Sequence, residues 1–309
     1  MADKVVLVTQ KTRLEELRQR FNTREQAKFW IEHMGLAFED YDVEDATYRT
    51  AVATLARSLE TLVPKIQQLD RSLLPAFQFG PEDVVVTVGR DGLVANAAKY
   101  VGSRPIIAVN PDPRRWDGVL LPFSPATAHR GLQALLAGRA VIQNVTMAEA
   151  RLNDGQRLLA FNDFLVGRRD HFSARYELAW QGASERQSSS GVLVATGAGS
   201  TGWLSSTQNM AEAIARLLVQ DAAPFPRLTL ERSDRRLAFV VREPFRSRSS
   251  GVGITAGFVD PGAPLVVESL MPEGGAIFSD GVPEDALAFD SGCVATIAAA
   301  EEAARLVVG

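Results

Sequence analysis

The sequence predicts an α/β domain with a parallel, Rossmann-like sheet, followed by an all-β, sandwich-like domain. A length of 309 residues is typical of two domains rather than one. A strand, a helix and a second strand follow one another within residues 83–109, which is the pattern of a parallel βαβ unit. Short strands with turn residues dominate after position 141. We therefore expect domains at 1–125 and 126–309.

The composition excludes several classes of protein and site. Apolar residues make up 46% and charged residues 23%, as in ordinary proteins with a packed core. The net charge of −4 gives no bias toward nucleic acids or acidic membranes. With one cysteine, Cys293, and three histidines, we expect no internal disulfide, cysteine zinc cage or histidine-rich metal site. Neither a membrane span nor a targeting segment is visible, so we expect a cytoplasmic protein.

Apolar periodicity predicts the elements of the first domain. Pro64 is expected to divide the second of two early helices. The parallel sheet needs cover on both faces, which these helices can supply. The elements expected are, in order, strand 5–9, helices 11–34 and 43–69, strand 83–88, helix 93–101 and strand 105–109.

The second half of the chain is dominated by short predicted strands. Helices are expected only over 126–137 and 203–219. Repeated short strands separated by turn residues are typical of a sandwich or a folded-over sheet. The expected strands are 141–151, 157–166, 172–180, 191–196, 228–232, 237–242, 253–258, 264–269 and 293–298.

The segment Gly89-Arg90-Asp91-Gly92 stands at the carboxyl end of the strand 83–88. Ligands of open α/β sheets bind beyond such ends, and glycines before a helix N-terminus suit a phosphate. Asp91 can accept a proton from a hydroxyl or hold a metal. An Asp-Gly turn whose aspartate merely caps the helix is an equally good interpretation.

The segment Phe161-Asn162-Asp163-Phe164 places two polar residues in an otherwise apolar strand. Adjacent side chains of a strand point to opposite faces, so at least one of the pair is expected to be buried. An unpartnered buried polar group costs about 1–3 kcal/mol, which a bound ligand would offset. An ordinary Asx turn at the end of a strand is the simpler alternative.

The segment 197–202, Gly-Ala-Gly-Ser-Thr-Gly, follows a buried strand and precedes a helix. Its small residues, hydroxyls and free N–H groups suit a polar ligand. Its glycines fit the pattern of a Rossmann dehydrogenase, with Asp221 about 20 residues further on. Because Asp221 stands in a loop-like segment rather than at the end of a second parallel strand, a dehydrogenase is the weaker interpretation.

Arginines cluster between positions 232 and 248, and guanidinium groups suit phosphates. Neighbouring acidic residues balance most of them, as on a solvated hairpin. Arg246 and Arg248 fall in a predicted loop and are the better candidates for phosphate contacts.

In order and spacing, these motifs resemble the NAD kinase family, most closely its mitochondrial-type branch. The family's Gly-Gly-Asp-Gly motif is matched by residues 89–92, its Asn-Glu or Asn-Asp motif by Asn162-Asp163, and its Thr-Gly-Ser-Thr type loop by Gly199-Ser200-Thr201. A late Asp-Gly is matched by Asp280-Gly281. The resemblance to the mitochondrial-type branch is carried by the stretches 9–13, 110–113, 189–191 and 196–200.

The resemblance implies a substrate crevice between the domains, a C-terminal segment that returns to the first one, and a homodimer or tetramer. It implies phosphoryl transfer from ATP or another donor to the 2′-hydroxyl of the adenosine ribose of NAD, with Mg²⁺ held through the donor phosphates rather than by a protein cage. Small nucleotides, and neither nucleic acid nor membrane, are the expected partners. The roles implied are Asp91 as the base, Gly89, Arg90 and Gly92 at the donor, and Asn110, Asn162, Asp163, Gly199, Ser200, Thr201, Gly202 and Trp203 at NAD.

The sequence also departs from the family pattern, mainly on the donor side. Arg90 replaces a glycine and Leu93 a threonine, while 242–246 stands where the family has a Pro-His motif. If position 90 required positive φ, an arginine there would cost about 1–2 kcal/mol. The side chain of Arg90 could also crowd the triphosphate of the donor or supply a positive charge to it. Two alternatives therefore stay open: a non-catalytic NAD- or NADP-binding protein on the same fold, and a related kinase of lipid or sugar hydroxyls.

Overall fold

The computed structural model describes residues 4–219 and 225–309, which form two compact units. The first unit contains the chain up to Gln143 and the C-terminal residues Arg305–Gly309, and the second unit is Asn144–Ala304. The division therefore falls after residue 143 rather than after residue 125, the boundary that the sequence suggested.

A parallel sheet forms the centre of the first unit. Its strands are β1 (Lys4–Thr9), β2 (Ile66–Asp70), β3 (Asp83–Val88) and β4 (Pro105–Val109), in the order β2-β1-β3-β4. On the far side of β4, Arg305 and Leu306 add a further parallel pairing. β3 is buried along its whole length, which explains its uninterrupted apolar, β-branched sequence.

The helices of the first unit differ from the sequence prediction in two places. They are α1 (Arg13–Phe21), α2 (Arg24–His33), α3 (Glu39–Glu60), α4 (Asp91–Ala98) and α5 (Ala128–Leu136). The single helix predicted over 11–34 is wrong, because Asn22 ends α1 with a φ of 63° and Thr23 caps α2.

The prediction of helix through residue 69 is also wrong. α3 ends at Glu60, and Pro64 cannot donate a helical hydrogen bond. The chain then turns, and Ile66–Asp70 pairs with β1 as the strand β2. The sheet hydrogen bonds available beside β1 outweigh the helical periodicity of that segment.

The core of the first unit explains the position of the boundary. Leu55 and Leu59 of α3 are fully buried against apolar residues of β1, β3 and β4. Ala128 and Leu132 of α5 are buried in the same cluster, together with Val307 from the end of the chain. Because α5 buries its apolar stripe on the parallel sheet, residues 126–143 belong to the first unit.

The second unit consists mainly of antiparallel strands. A short 3₁₀ turn, Gly199–Thr201, leads into its helix α6 (Trp203–Leu218). Its strands are β5 (Ile142–Leu152), β6 (Arg157–Ala160), β7 (Asp163–Arg168), β8 (Ala174–Trp180), β9 (Ala183–Ser189), β10 (Val192–Ala195), β11 (Leu237–Val241), β12 (Ala256–Val259), β13 (Leu265–Ser269), β14 (Gly275–Ser279), β15 (Val282–Ala288) and β16 (Val294–Val307).

Two sheets enclose the core of this unit, which confirms the sandwich. One has the order β12-β11-β10-β7-β14-β15, and the other contains β16-β13-β8-β9 with β5 and β6. Phe164, Val194 and Phe239 from the first sheet share one buried cluster with Tyr176 and Val267 from the second.

Several strand predictions for this unit need correction. The strand predicted over 157–166 is divided, because residues 161–162 leave the ladder between β6 and β7. Residues 228–232 form no strand. β9, β14 and β15 were not predicted. They are rich in polar or small residues and lack the alternation of apolar and polar residues that indicates a strand. Of the helices that the structure describes, none combines the length and the apolar character that crossing a membrane requires.

We expect the substitution Leu132→Ala in α5 to destabilise the first unit by about 2–5 kcal/mol, because it opens a cavity under a fully buried side chain. Leu136→Ala on the same helix is the control. Its side chain is 39% exposed, so the loss should stay below about 1 kcal/mol. Urea unfolding followed by circular dichroism measures both variants. Equal shifts would contradict the assignment of α5 to the sheet core.

Candidate functional site

Asp91 lies at the start of α4, three residues after the end of β3. It is the first residue of the helix, and its Oδ1 accepts a hydrogen bond of 2.7 Å from the backbone N–H of Leu120. Its other oxygen, Oδ2, has no hydrogen-bond partner among the described residues, and the side chain is half-buried. The carboxylate is therefore oriented by the loop at residue 120 and keeps one oxygen free to accept a proton.

Close packing at Gly89 fixes the loop that precedes Asp91. A Cβ at Gly89 would lie 2.8 Å from Cδ2 of Leu93 and 3.1 Å from the side-chain amide of Gln10. Leu93 is buried, so the residue that replaces the family's threonine packs under the loop instead of facing a ligand. Gly92 is exposed, with open space around it.

Arg90 occupies its position without backbone strain. Its φ is −89° and its ψ is 169°, so no positive φ is required and the cost considered for an arginine at this position does not arise. The guanidinium lies over the ring of Trp116, 4.7 Å from its centroid. This cation–π contact holds a positive charge beside the motif loop.

Asn110 follows β4 and is buried. Its side-chain amide donates to the carbonyl of Trp116 at 2.9 Å and accepts from the N–H of Asp112 at 3.0 Å. These two bonds hold the loop that carries Trp116, so in this structure Asn110 orders the loop on which Arg90 rests.

In the second unit, the carboxylate of Asp280 organises the turn between β6 and β7. It accepts backbone N–H groups from Phe161 at 2.9 Å, Asn162 at 2.6 Å and Asp163 at 3.2 Å. The N–H of Asp280 in turn donates to the carbonyl of Asp163, and the residue adopts a φ of 53°. Three donors on one carboxylate fix the backbone from which the side chains of Asn162 and Asp163 project.

Asp163 is 8% exposed, and its carboxyl group has no hydrogen-bond partner within the described part of the chain. Burial, and after it the negative charge of Asp280, raises its pKa to about 7. The side chain of Asn162 is half-buried and likewise lacks a partner among the described residues. The sequence prediction that one of the pair is buried is confirmed, and both present unsatisfied polar groups.

The loop 197–202 packs directly on this turn. A Cβ at Gly199 would lie 2.1 Å from the carbonyl oxygen of Asn162, so only glycine fits there. The hydroxyl of Thr196 donates to the carbonyls of residues 161 and 162 and accepts the N–H of Gly199. Ser200 is buried and donates to the carbonyl of Gly197, whereas Thr201 and Gly202 are exposed.

The neighbourhood of this loop does not fit a Rossmann dehydrogenase. β10, the strand that feeds the loop, pairs antiparallel with both β7 and β11. A dinucleotide-binding βαβ unit needs parallel strands. Asp221, the acidic residue of that interpretation, lies outside the described residues.

A cavity of about 260 Å³ opens beside Asp163 and Trp203. Arg168, Arg169 and Phe278 also line it. Arg168 is paired with Asp170 at 2.5 Å, and the guanidinium of Arg169 lies over the Phe278 ring. The cavity thus joins an aromatic surface, cations and a titratable carboxyl group, which suits the ribose or base of a nucleotide.

Arg246 and Arg248 are exposed, and neither forms an ion pair with another described residue. The carboxylate of Glu185 anchors the nearby segment by accepting the N–H groups of Gly253 and Ile254. Both guanidinium groups are accessible to a phosphate, and, against the opposing effect of burial, the charge of Arg246 also contributes to lowering the pKa of Glu185.

The described residues include no group of three or more His, Cys, Asp or Glu side chains that could hold a metal ion. At the loop 89–92, Oδ2 of Asp91 is the carboxylate oxygen without a hydrogen-bond partner among the described residues. This oxygen can accept a proton or bind a metal ion, but not both at once, so a Mg²⁺ ion beside a base at Asp91 would take its ligands from phosphates and water.

The candidate residues thus form two groups, one in each unit. Residues 89–92 and Asn110 lie together in the first unit, and Asn162, Asp163 and the loop 199–203 lie together in the second.

Thr196, Arg168 and the role of Asp280 were missed as site features. The Asp280-Gly281 dipeptide marks a turn in the sequence, but nothing local shows that its carboxylate binds a backbone segment more than 110 residues earlier.

We expect Asp163→Asn to change how stability depends on pH. The pKa of Asp163 rises from 3.8 to about 7 on folding, so the folded state holds a proton that the unfolded state releases, and stability falls between pH 4 and 7. The free energy of unfolding of the wild type, relative to Asp163→Asn, should fall by about 1.4 kcal/mol per pH unit there. Urea unfolding at pH 5, 6 and 7 measures it, and a constant difference would contradict the buried, unpaired carboxyl group.

No family model matches the sequence, and neither does any curated protein. Solved structures do resemble it. Yeast NADH kinase complexed with NADH matches with a TM-score of 0.60 and 14% identity, covering 100% of this chain and 84% of that one. An NAD kinase from Archaeoglobus fulgidus in complex with ATP matches with a TM-score of 0.56 and 17% identity, covering 98% and 93%. The chain therefore has the fold of the NAD kinases.

Proposed function

We propose that the chain is an NAD kinase-like phosphotransferase, which transfers a phosphoryl group from ATP or another donor to the 2′-hydroxyl of the adenosine ribose of NAD. The observation that carries this proposal is the set of four motifs, in family order, on a chain with the NAD kinase fold. The ligands of the two similar structures, NADH and ATP, are the two substrate classes that such a reaction needs.

Asp91 is the proposed catalytic base. Phosphoryl transfer depends on positioning and charge neutralisation more than on covalent catalysis, so one carboxylate is enough. Its Oδ1 is held by the N–H of Leu120, and Oδ2 is free to accept the proton of the attacking hydroxyl. The absence of histidine and cysteine from this loop is compatible with such chemistry.

The donor phosphates are proposed to bind at the loop 89–92. The α4 N-terminus offers free backbone N–H groups there, and Gly92 leaves room for close approach. The guanidinium of Arg90 adds a positive charge. A Mg²⁺ ion held by the donor phosphates and water would neutralise the charge of the transferred group and leave Oδ2 of Asp91 free for the proton.

NAD is proposed to bind to the second unit. Asn162 and Asp163 offer unsatisfied polar groups to ribose hydroxyls and to the adenine, and the ring of Trp203 lines the same cavity. The exposed hydroxyl of Thr201 and the backbone of Gly202 complete that surface, and Arg246 and Arg248 are available for the pyrophosphate. The pKa of Asp163, about 7, allows its carboxyl group to donate a hydrogen bond as well as to accept one.

A second candidate function is NAD or NADP binding without turnover. It is favoured by Leu93, whose buried side chain leaves no hydroxyl where the family pattern has threonine. It is also favoured by the contact of Arg90 with Trp116, which engages the guanidinium even without a ligand. Calorimetric binding of NAD together with no NADP formation from any donor would favour this alternative.

We expect Asp91→Asn to lower the rate of NADP formation by about 10²–10⁴-fold, because the amide cannot accept the hydroxyl proton. A coupled assay with a strictly NADP-dependent dehydrogenase, run with ATP, other nucleotides and polyphosphate, measures it. NAD binding, followed by calorimetry, should be unchanged.

Asp117→Asn is the control for this variant, because Asp117 is exposed in the neighbouring loop. It should retain the wild-type rate. Full activity of Asp91→Asn would remove Asp91 from the mechanism, and no NADP with any donor would overturn the proposed activity.

A further inference from the structure

A second cavity in the first unit lies outside the motif loop. It has a volume of about 610 Å³, in the usual range for small-molecule sites. Thr9 and Gln10 line it at the carboxyl end of β1, and Gln68 and Asp70 line it at the carboxyl end of β2. We call it the strand-end cavity. Ligands of parallel sheets bind at this edge.

The strand-end cavity borders the loop that carries Asp91. β1 and β3 are parallel neighbours, so the carboxyl end of β1 stands beside Gly89. The side-chain amide of Gln10, which lines the cavity, packs against Gly89. The hydroxyl of Tyr48 accepts the N–H of Gln10 and donates to the carbonyl of Val88, both at 2.9 Å. One wall is thus rigidly connected to the backbone that positions Asp91.

The lining offers the groups that a nucleoside needs. Side-chain amides from Gln10, Gln19 and Gln68 can pair with the edge of a base or with hydroxyls, and Val52 and Ala53 add apolar surface.

The charged residues of the lining differ in whether another protein group balances them. Glu15 is bound to Arg49 at 3.0 Å and to its own helix cap, so its charge is balanced. Lys11 and Arg18 form no ion pair with any described residue. The ammonium of Lys11 donates one hydrogen bond to the side-chain oxygen of Gln19, at 3.1 Å, and keeps two further N–H groups for a phosphate. Lys11 also lines a small neighbouring cavity, of about 20 Å³, together with Arg90. Positively charged side chains without an ion-pair partner among the described residues therefore extend from the strand-end cavity to the motif loop.

We infer that the strand-end cavity binds the nucleoside of a nucleoside triphosphate donor, with Lys11 on its phosphates. This inference rests on the proposed function, since it assigns the donor of that reaction. A polyphosphate donor fits less well, because the carboxylate of Asp70 faces the same space, forms no ion pair with a described residue and would repel a continuous polyanion. Ribose hydroxyls, by contrast, can donate to such a carboxylate.

The test is the binding of a fluorescent ATP analogue to the full chain and to Ala53→Phe. Ala53 is exposed on α3 and lines the cavity, so a phenyl ring there occupies the space without disturbing a core position. We expect the affinity for the analogue to fall by about tenfold or more. Ala46→Phe is the matched control, because Ala46 is exposed on the same helix and does not line the cavity. Its affinity should be unchanged.

A second variant, Lys11→Ala, should also weaken binding of the analogue, while Lys65→Ala, at another exposed lysine, should not. Unlabelled adenosine should displace the analogue from the wild type. Unchanged affinity in both Ala53→Phe and Lys11→Ala would overturn the inference, as would displacement by tripolyphosphate but not by adenosine.

NAD binding and NADP formation distinguish this inference from the proposed function. NADP formed from ATP with an unchanged KM for ATP in Ala53→Phe would overturn the assignment of the cavity and leave the kinase function standing. A different outcome would support the nucleotide site and count against the kinase function. In that outcome the wild type binds the analogue, Ala53→Phe does not, and the chain forms no NADP. Calorimetric titration with NAD should give equal affinities for Ala53→Phe and the wild type.

Discussion

The carboxylate of Asp280 fixes the candidate NAD-binding surface. Three consecutive backbone N–H groups, from residues 161–163, point to it, which turns the chain between β6 and β7 and leaves the carbonyl of Asn162 against Gly199. The loop 197–202 can approach only because that position has no Cβ. The same turn buries the carboxyl group of Asp163 beside a second carboxylate, which raises its pKa to about 7. One anchored turn therefore determines the shape of this surface and its protonation.

The first unit uses a comparable device with different residues. Gly89 allows Leu93 and Gln10 to pack against the backbone before α4, and the N–H of Leu120 orients the carboxylate of Asp91. Each loop thus combines two features: a glycine packed closely against neighbouring residues, and a carboxylate that accepts hydrogen bonds from the backbone. Neither loop contains a cysteine or a histidine, and the proposed phosphoryl transfer needs neither.

Much of this organisation could be predicted from the sequence, and the failures have physical causes. β3, β4 and the loop 89–92 were predictable because a buried parallel strand is uniformly apolar and glycines punctuate its end. β2 was not, because its pairing with β1 overrides the helical pattern. The unpaired state of Asp163 was expected from two polar residues in an apolar strand. The hydrogen bonds to Asp280 could not be inferred, because they join residues that are far apart in the chain. Nor could the φ of Arg90 be inferred from the family pattern, which has glycine there.

We propose that the chain phosphorylates NAD. Mass spectrometry of NAD incubated with the protein, Mg²⁺ and ATP labelled with ¹⁸O in its γ-phosphate tests it most directly. We expect a product heavier than NAD by one labelled phosphoryl group, located on the adenosine ribose by fragmentation. Unmodified NAD after incubation with labelled ATP and with each alternative donor would contradict it.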